Sequence, residues 1–216
     1  MSGNPVIGLV MATLLEAVPF IRDLSLREWG SEPFGLYGDE RIALIVSGIG
    51  KANAAMACAY LIQTRRPAQV CNLGAAGATG RRCALGESYH IDKIIEPDRP
   101  GLRSGLPHEQ LPDVLDGFAV AALATQDRPL RDPDERESVA SSAQLADMEG
   151  AAVVQACRRF GVKCFLFKFV SDTPDQRQNA EIVKNIELYR DAHSRFFKDF
   201  VLPRLLPLAG NYYSGK

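Results

Sequence analysis

Three runs in this chain are apolar on both faces of an extended segment: VIGLVM at 6–11, QVCNL at 69–73 and VKCFLFKFV at 162–170. Such runs belong to strands covered on both sides, as in a parallel or mixed sheet held between layers of helices. Helical patterns fall between them. Leu14, Leu15, Val18, Ile21 and Leu24 recur at helical spacing and predict a helix over 14–24, with Pro19 in its first turn or at a kink. An alanine-rich helix is expected over 51–66, stopped by Pro67, and another over 150–160. A long final helix is expected over 179–202, with Ile182, Ile186, Tyr189, Phe196, Phe197 and Phe200 as its apolar face. Segments 34–38 and 41–47 read as a hairpin, and 87–95, 118–125 and 144–148 as further extended segments. A helical patch covers 133–141; the glycine-bearing stretch 74–80 and the Pro- and Gly-rich stretch 98–112 read as loops. The fold expected is α/β: one domain over residues 1–216, a three-layer sandwich with a mixed, largely parallel central sheet flanked by helices.

Charge and cysteine usage exclude several function classes. The net charge is −1 with the signs interspersed, so there is no basic stripe for nucleic acid. Arg65-Arg66 and Arg81-Arg82 are short and read as solvated surface. Five cysteines make an odd count without a CxxC pair, and four lie in apolar runs, as buried thiols of a reducing compartment do. The first residues have no basic leader and are interrupted by Glu16, so neither a signal peptide nor a membrane anchor is expected. A cytoplasmic chain that binds no membrane is the expectation.

Two glycine motifs invite cofactor readings and fit neither. GAAGATG at 74–80 follows a strand with GxxGxxG spacing, and no helical pattern follows to hold a pyrophosphate. SGIGK at 47–51 lacks the GxxxxGK[ST] spacing of a triphosphate loop. No cofactor and no metal are expected. A loop poor in side chains still lets backbone groups approach a flat ligand closely; tight turns between strands are the structural alternative.

The residues that suggest chemistry are carboxylates. Glu16 stands in an apolar stretch, either exposed in a first helical turn or buried and in need of a partner. Asp147 and Glu149 lie two apart at a strand end, where alternation turns them the same way and where helix capping would suit one of them. Asp172 follows the run FLFKFV, and Ser171-Asp172-Thr173-Pro174 could form an Asx-turn. Glu16, Glu149 and Asp172 all occur at strand-to-helix junctions, which share one edge of a parallel sheet, where open α/β sheets bind ligands.

The chain resembles the nucleoside phosphorylase/hydrolase superfamily, and within it the bacterial methylthioadenosine/S-adenosylhomocysteine nucleosidases. The resemblance lies in VIGLVMATLLEAV with Glu16, VSGIGKANAAMA at 46–57, NLGAAGA at 72–78, DMEGAAVVQAC at 147–157 and VSDTPD at 170–175, in the family's order. It implies hydrolysis of the N-glycosidic bond of a purine nucleoside, a 5′-modified adenosine such as methylthioadenosine or S-adenosylhomocysteine. Carried over by motif, Asp172 would protonate the leaving base, aided by desolvation beside Phe169 and Val170. Glu149 with the backbone of Met148 would grip the ribose hydroxyls, and Glu16 would orient or deprotonate the attacking water. Ala75, Ala76 and Gly77 would flank the site with Ser171, and Arg128, Pro129 and Leu130 would lie along the base. Acid and base on opposite faces would parallel inverting glycoside hydrolysis. The superfamily's phosphorylases hold phosphate with arginines where this chain reads GLVMATLLE and CNLGAAG, so water is the expected nucleophile. A homodimer or higher homo-oligomer is implied as well. The chain departs from the family in a shorter 96–125 segment and in Gln126-Asp127-Arg128, where small and aromatic residues are usual. That leaves the 5′-group and the base open: a phosphorylase, a futalosine-type hydrolase and a catalytically silent nucleoside-binding protein are the alternatives.

Overall fold

The sheet is built outward from β1 (Ile7–Met11), the first of the doubly apolar runs. In a computed structural model that describes residues 7–101, 105–176 and 178–210, β1 pairs in parallel with β4 (Ile42–Val46) on one side and β5 (Gln69–Ala78) on the other. Val6 and residues 102–104 of the expected loop lie outside the described residues. β2 (Arg27–Gly30) and β3 (Gly35–Gly38) extend the β4 edge antiparallel. The β3–β4 hairpin is the expected one; Asp39 closes its turn by accepting from the backbone N–H groups of Arg41 and Ile42.

On the other side the sheet closes on itself. β5 pairs in parallel with β10 (Lys163–Asp172), which pairs antiparallel with β6 (Ser88–Pro100). β6 runs parallel to β8 (Val120–Thr125), β8 runs parallel to β9 (Leu145–Asp147), and β9 returns to the end of β5 at Gly77 and Ala78. The result is a ring of five strands joined to an open wing, and β5 belongs to both. The expected loop at 74–80 is therefore strand as far as Ala78. Its backbone groups pair with β10, and its small side chains let β5 leave β1 and cross to β9. The 98–112 stretch holds a short strand, β7 (Pro107–Gln110), which pairs antiparallel with β6.

Helices cover both faces, as expected. α2 (Lys51–Arg65) and α4 (Gly150–Phe160) bury Ala54, Ala57, Cys58 and Leu61 against Val153, Val154 and Cys157. On the opposite face α1 (Leu14–Asp23) contributes Ala17 and Phe20 to a second cluster with Phe165, Phe167 and Phe197. The final helical stretch is longer than expected and irregular: α5 (Asn179–Phe196), a π turn over Phe197–Val201, and α6 (Leu202–Gly210). The extra residue of the π turn rotates the apolar face. Phe197 is fully buried, whereas Phe200, expected on the same face, is 61% exposed. α3 (Pro133–Ala140) is short, capped by Asp132, and lies beside the ends of β5 and β10. No helix among the described residues is long and apolar enough to cross a membrane.

Candidate active site

The C-terminal ends of β1, β5, β9 and β10 open into a cavity of about 860 Å³, the size of a small-molecule site. Glu16, Glu149 and Asp172 all line it, and all are buried. Met148, Ala75, Ala76, Gly77 and Ser171 line it too, as do Arg128, Pro129 and Leu130. Every residue singled out from sequence for the site thus faces one space.

Glu16 is held at both oxygens. Thr13 and Glu16 form a capping box at the start of α1. Glu16 Oε2 accepts from the Thr13 backbone N–H at 3.1 Å and from its hydroxyl at 2.6 Å. Oε1 accepts from the Ala75 backbone N–H at 2.8 Å. Of the two alternatives posed for Glu16, exposed in the first turn or buried with a partner, the second holds: the side chain is buried, and Thr13 and the Ala75 N–H are its partners. The Thr13-x-x-Glu16 spacing is the sequence signal for the capping box. Gly74 makes the approach possible. Its φ is +147°, and a Cβ there would stand 2.7 Å from Glu16 Oε1.

Glu149 occupies the cap position of α4, and its Oε1 accepts from the Gly50 backbone N–H at 2.9 Å. Burial first, then the charge of Asp147, push its carboxyl up to about 7, against the pull of Lys168 and the Gly50 N–H. Asp147 serves as a cap, its Oδ2 accepting from Gly150 N–H at 2.9 Å while its Oδ1 accepts from the Thr125 hydroxyl at 2.6 Å. Oδ2 also lies 2.9 Å from Nζ of the buried Lys168. Asp175 meets Arg81 at the surface.

Asp172 is aimed by a bulge. β10 pairs Val170 with Ala76 and Asp172 with Gly77, leaving Ser171 as the extra residue. The surroundings differ from the apolar ones expected. Asp172 Oδ2 accepts from Arg136 Nη2 at 2.6 Å, and Oδ1 accepts from the Ser171 hydroxyl at 2.9 Å. The ion pair lies over Gly77, where a Cβ would come within 2.8 Å of Asp172 Oδ2 and 3.0 Å of Arg136 Nη2. Arg136 comes from α3 and lies in a polar, charged stretch that carries no sequence sign of burial. Lys168 did carry one: a charge in the middle of a doubly apolar run must find a partner.

The 128–130 segment is fixed to α3. Both terminal nitrogens of Arg128 donate to Glu135, at 2.7 and 2.6 Å, and the Gln126 amide donates to the Arg128 carbonyl at 3.0 Å. Leu130 packs with Val139 and Ala143, turning this stretch into a wall of the cavity. Leu15, Ile49, Ile182 and Ile186 supply an apolar wall from α1, the turn before α2, and α5. The Arg136–Asp172 ion pair and three further carboxylates, Glu16, Asp147 and Glu149, line this one cavity, an arrangement that suits acid–base chemistry on a polar ligand that develops positive charge.

A closed ring of strands with an open wing, bearing carboxylates at the strand ends, defines a class, and the sequence matches it. The model of the phosphorylase superfamily matches residues 6–202, and the chain belongs to that family. A 5′-methylthioadenosine/S-adenosylhomocysteine nucleosidase of Geobacillus sp. (strain WCH70) is 28% identical, the match covering 74% of this chain and 78% of that protein. Among solved structures, a mutant of the Helicobacter pylori nucleosidase MTAN, with 5′-methylthioadenosine in its active site, superimposes with a TM-score of 0.83. It is 17% identical, and the match covers 93% of this chain and 99% of that one. The futalosine hydrolase of Helicobacter pylori superimposes with a TM-score of 0.80 at 18% identity, covering 92% and 98%. These two likenesses establish the fold.

Proposed function

We propose that this chain hydrolyses the N-glycosidic bond of a purine nucleoside, releasing free base and the ribose derivative. The substrate class is a 5′-modified adenosine such as methylthioadenosine or S-adenosylhomocysteine, in keeping with the names of its relatives. One observation carries the reading: Glu16, Glu149 and Asp172, from three separate elements, line one cavity and are each fixed by a backbone or side-chain donor.

Asp172 delivers a proton to the leaving base, so that a neutral purine departs. For that step Arg136 must release Oδ2, and a base that fills the space between Gly77 and α3 provides the displacement. Glu149 accepts the ribose hydroxyls beside the Met148 backbone, and its charge favours an oxocarbenium-like sugar. Glu16 holds the attacking water and takes its proton as the water oxygen bonds to the sugar carbon that the base leaves. A carboxylate fixed there by the Ala75 N–H repels a dianion; this supports water over phosphate. Ala75, Ala76, Gly77 and Ser171 flank the base, with Arg128, Pro129 and Leu130 beyond it. Residues 1–216 act as one domain, in a cytoplasmic homodimer or higher homo-oligomer, with no cofactor.

The test is base release from methylthioadenosine, S-adenosylhomocysteine and other 5′-modified purine nucleosides in phosphate-free buffer. Equal rates with and without phosphate are expected. Release that requires phosphate would make the protein a phosphorylase, and binding without release would make it a nucleoside-binding module.

A further inference from the structure

Among the buried charges that take no part in the chemistry above, one stands beneath the site. Lys168 is only 2% exposed, and its Nζ stands 2.9 Å from Asp147 Oδ2. A buried ammonium persists only where carboxylates offset its desolvation. Burial pushes Lys168 down, but the charges of Asp147, Glu149 and Glu16 together hold it above the ordinary lysine range. Strand register puts it there. Lys168 pairs with Gly74 across β5, the glycine that leaves room for Glu16, and it stands four residues before Asp172 on the same strand. Asp147, in turn, caps α4 immediately after Glu149.

We propose that Lys168 is a positioning residue of this site: it anchors Asp147, which caps the turn that presents Glu149, and supplies the positive charge among the carboxylates around the ribose-holding group. The role of Glu149 here rests on the function proposed above. The groups that face Glu149 are Asp147 from β9, Lys168 from β10, Glu16 from α1 and the Gly50 N–H before α2. Two of the three charges are negative and only Lys168 is positive. Replacing it with a neutral residue leaves Glu149 protonated through the neutral range. Removing the Asp147 charge at the same time offsets the loss.

The experiment is a carbon-13 carboxyl titration of Glu149 in the full, ligand-free chain, assigned with Glu149→Gln, beside the pH profile of kcat/KM. In Lys168→Met the midpoint is expected to rise by about one unit or more, a tenfold change in proton affinity. Lys168→Arg should titrate near wild type, and Lys168→Met with Asp147→Asn should return to within about half a unit of it, as a double-mutant cycle requires. The acid limb of kcat/KM should move with the midpoint, so that raising the pH restores rate to Lys168→Met. A folded Lys168→Met whose midpoint does not move overturns the proposal. Should that variant fail to fold, a double variant displaced by more than about one unit overturns it equally. If wild-type protein releases no base from any nucleoside, the proposed function fails, while the titration still decides what Lys168 does to Glu149.

Discussion

Asp172 and its neighbours show how little room the acid end of the site leaves. A methyl group on Gly77 would stand 2.8 Å from Asp172 Oδ2. Gly77→Ala is therefore expected to displace the Asp172–Arg136 pair and to cost about 1–3 kcal/mol of stability, read from thermal melts, together with most of the base release. Asp172→Asn and Glu149→Gln should each lower kcat by about 10²–10⁴, the usual range for a lost general acid, with unfolding still cooperative. Because the Glu149 carboxyl is pushed up to about 7, its ionised form grows as pH rises. kcat/KM should climb from pH 6 to 8; a flat profile over that range would dissociate Glu149 from catalysis. Of these residues, the three carboxylates were legible in the sequence because each interrupts or ends an apolar segment at a strand-to-helix junction. Arg136 was not, because its burial follows from α3 folding across the ends of β5 and β10, a contact between residues 36 positions apart.

Among the elements, α1 carries an internal defect and a repair. Pro19 lies inside the helix and has no N–H to offer the Leu15 carbonyl. Arg190 of α5 takes its place, donating from Nη1 to that carbonyl at 2.7 Å. Pro19, expected in the first turn or at a kink, lies beyond the first turn, and the carbonyl it leaves free ties together two helices that both wall the cavity. Arg190→Ala should lower stability by about 1–2 kcal/mol, and Pro19→Ala in the same chain should recover part of it by restoring the helical hydrogen bond. Equal losses in the single and double variants would remove this explanation. The strands and most helices were legible because their apolar period is local. β5 beyond Leu73 was not, since Gly74–Ala78 looks like a loop until β10 and β9 supply its hydrogen-bond partners. The π turn was likewise hidden: helical spacing alone places Phe197 and Phe200 on one face.

For the whole molecule, the site is a cost to stability. Glu149 titrates near 4.5 in an unfolded chain and about 7 in the folded one, so the folded state holds its proton more tightly. The stability this contributes is complete below about pH 4.5 and is lost as pH rises through 7. Glu149→Gln, which has no charge to bury, should be the more stable protein at pH 8, by up to about 3 kcal/mol, and indistinguishable from wild type near pH 4. Melting curves at the two pH values read this directly. If the cavity cleaves a nucleoside with water, Asp172 must supply the proton that lets the base leave. The most direct measurement is free base released from methylthioadenosine in phosphate-free buffer, by wild-type protein and by Asp172→Asn side by side. Wild-type protein should release base steadily, at a rate unchanged when phosphate is added, and Asp172→Asn should lose at least about a hundredfold. Release that appears only with phosphate, or that survives intact in Asp172→Asn, would contradict this mechanism.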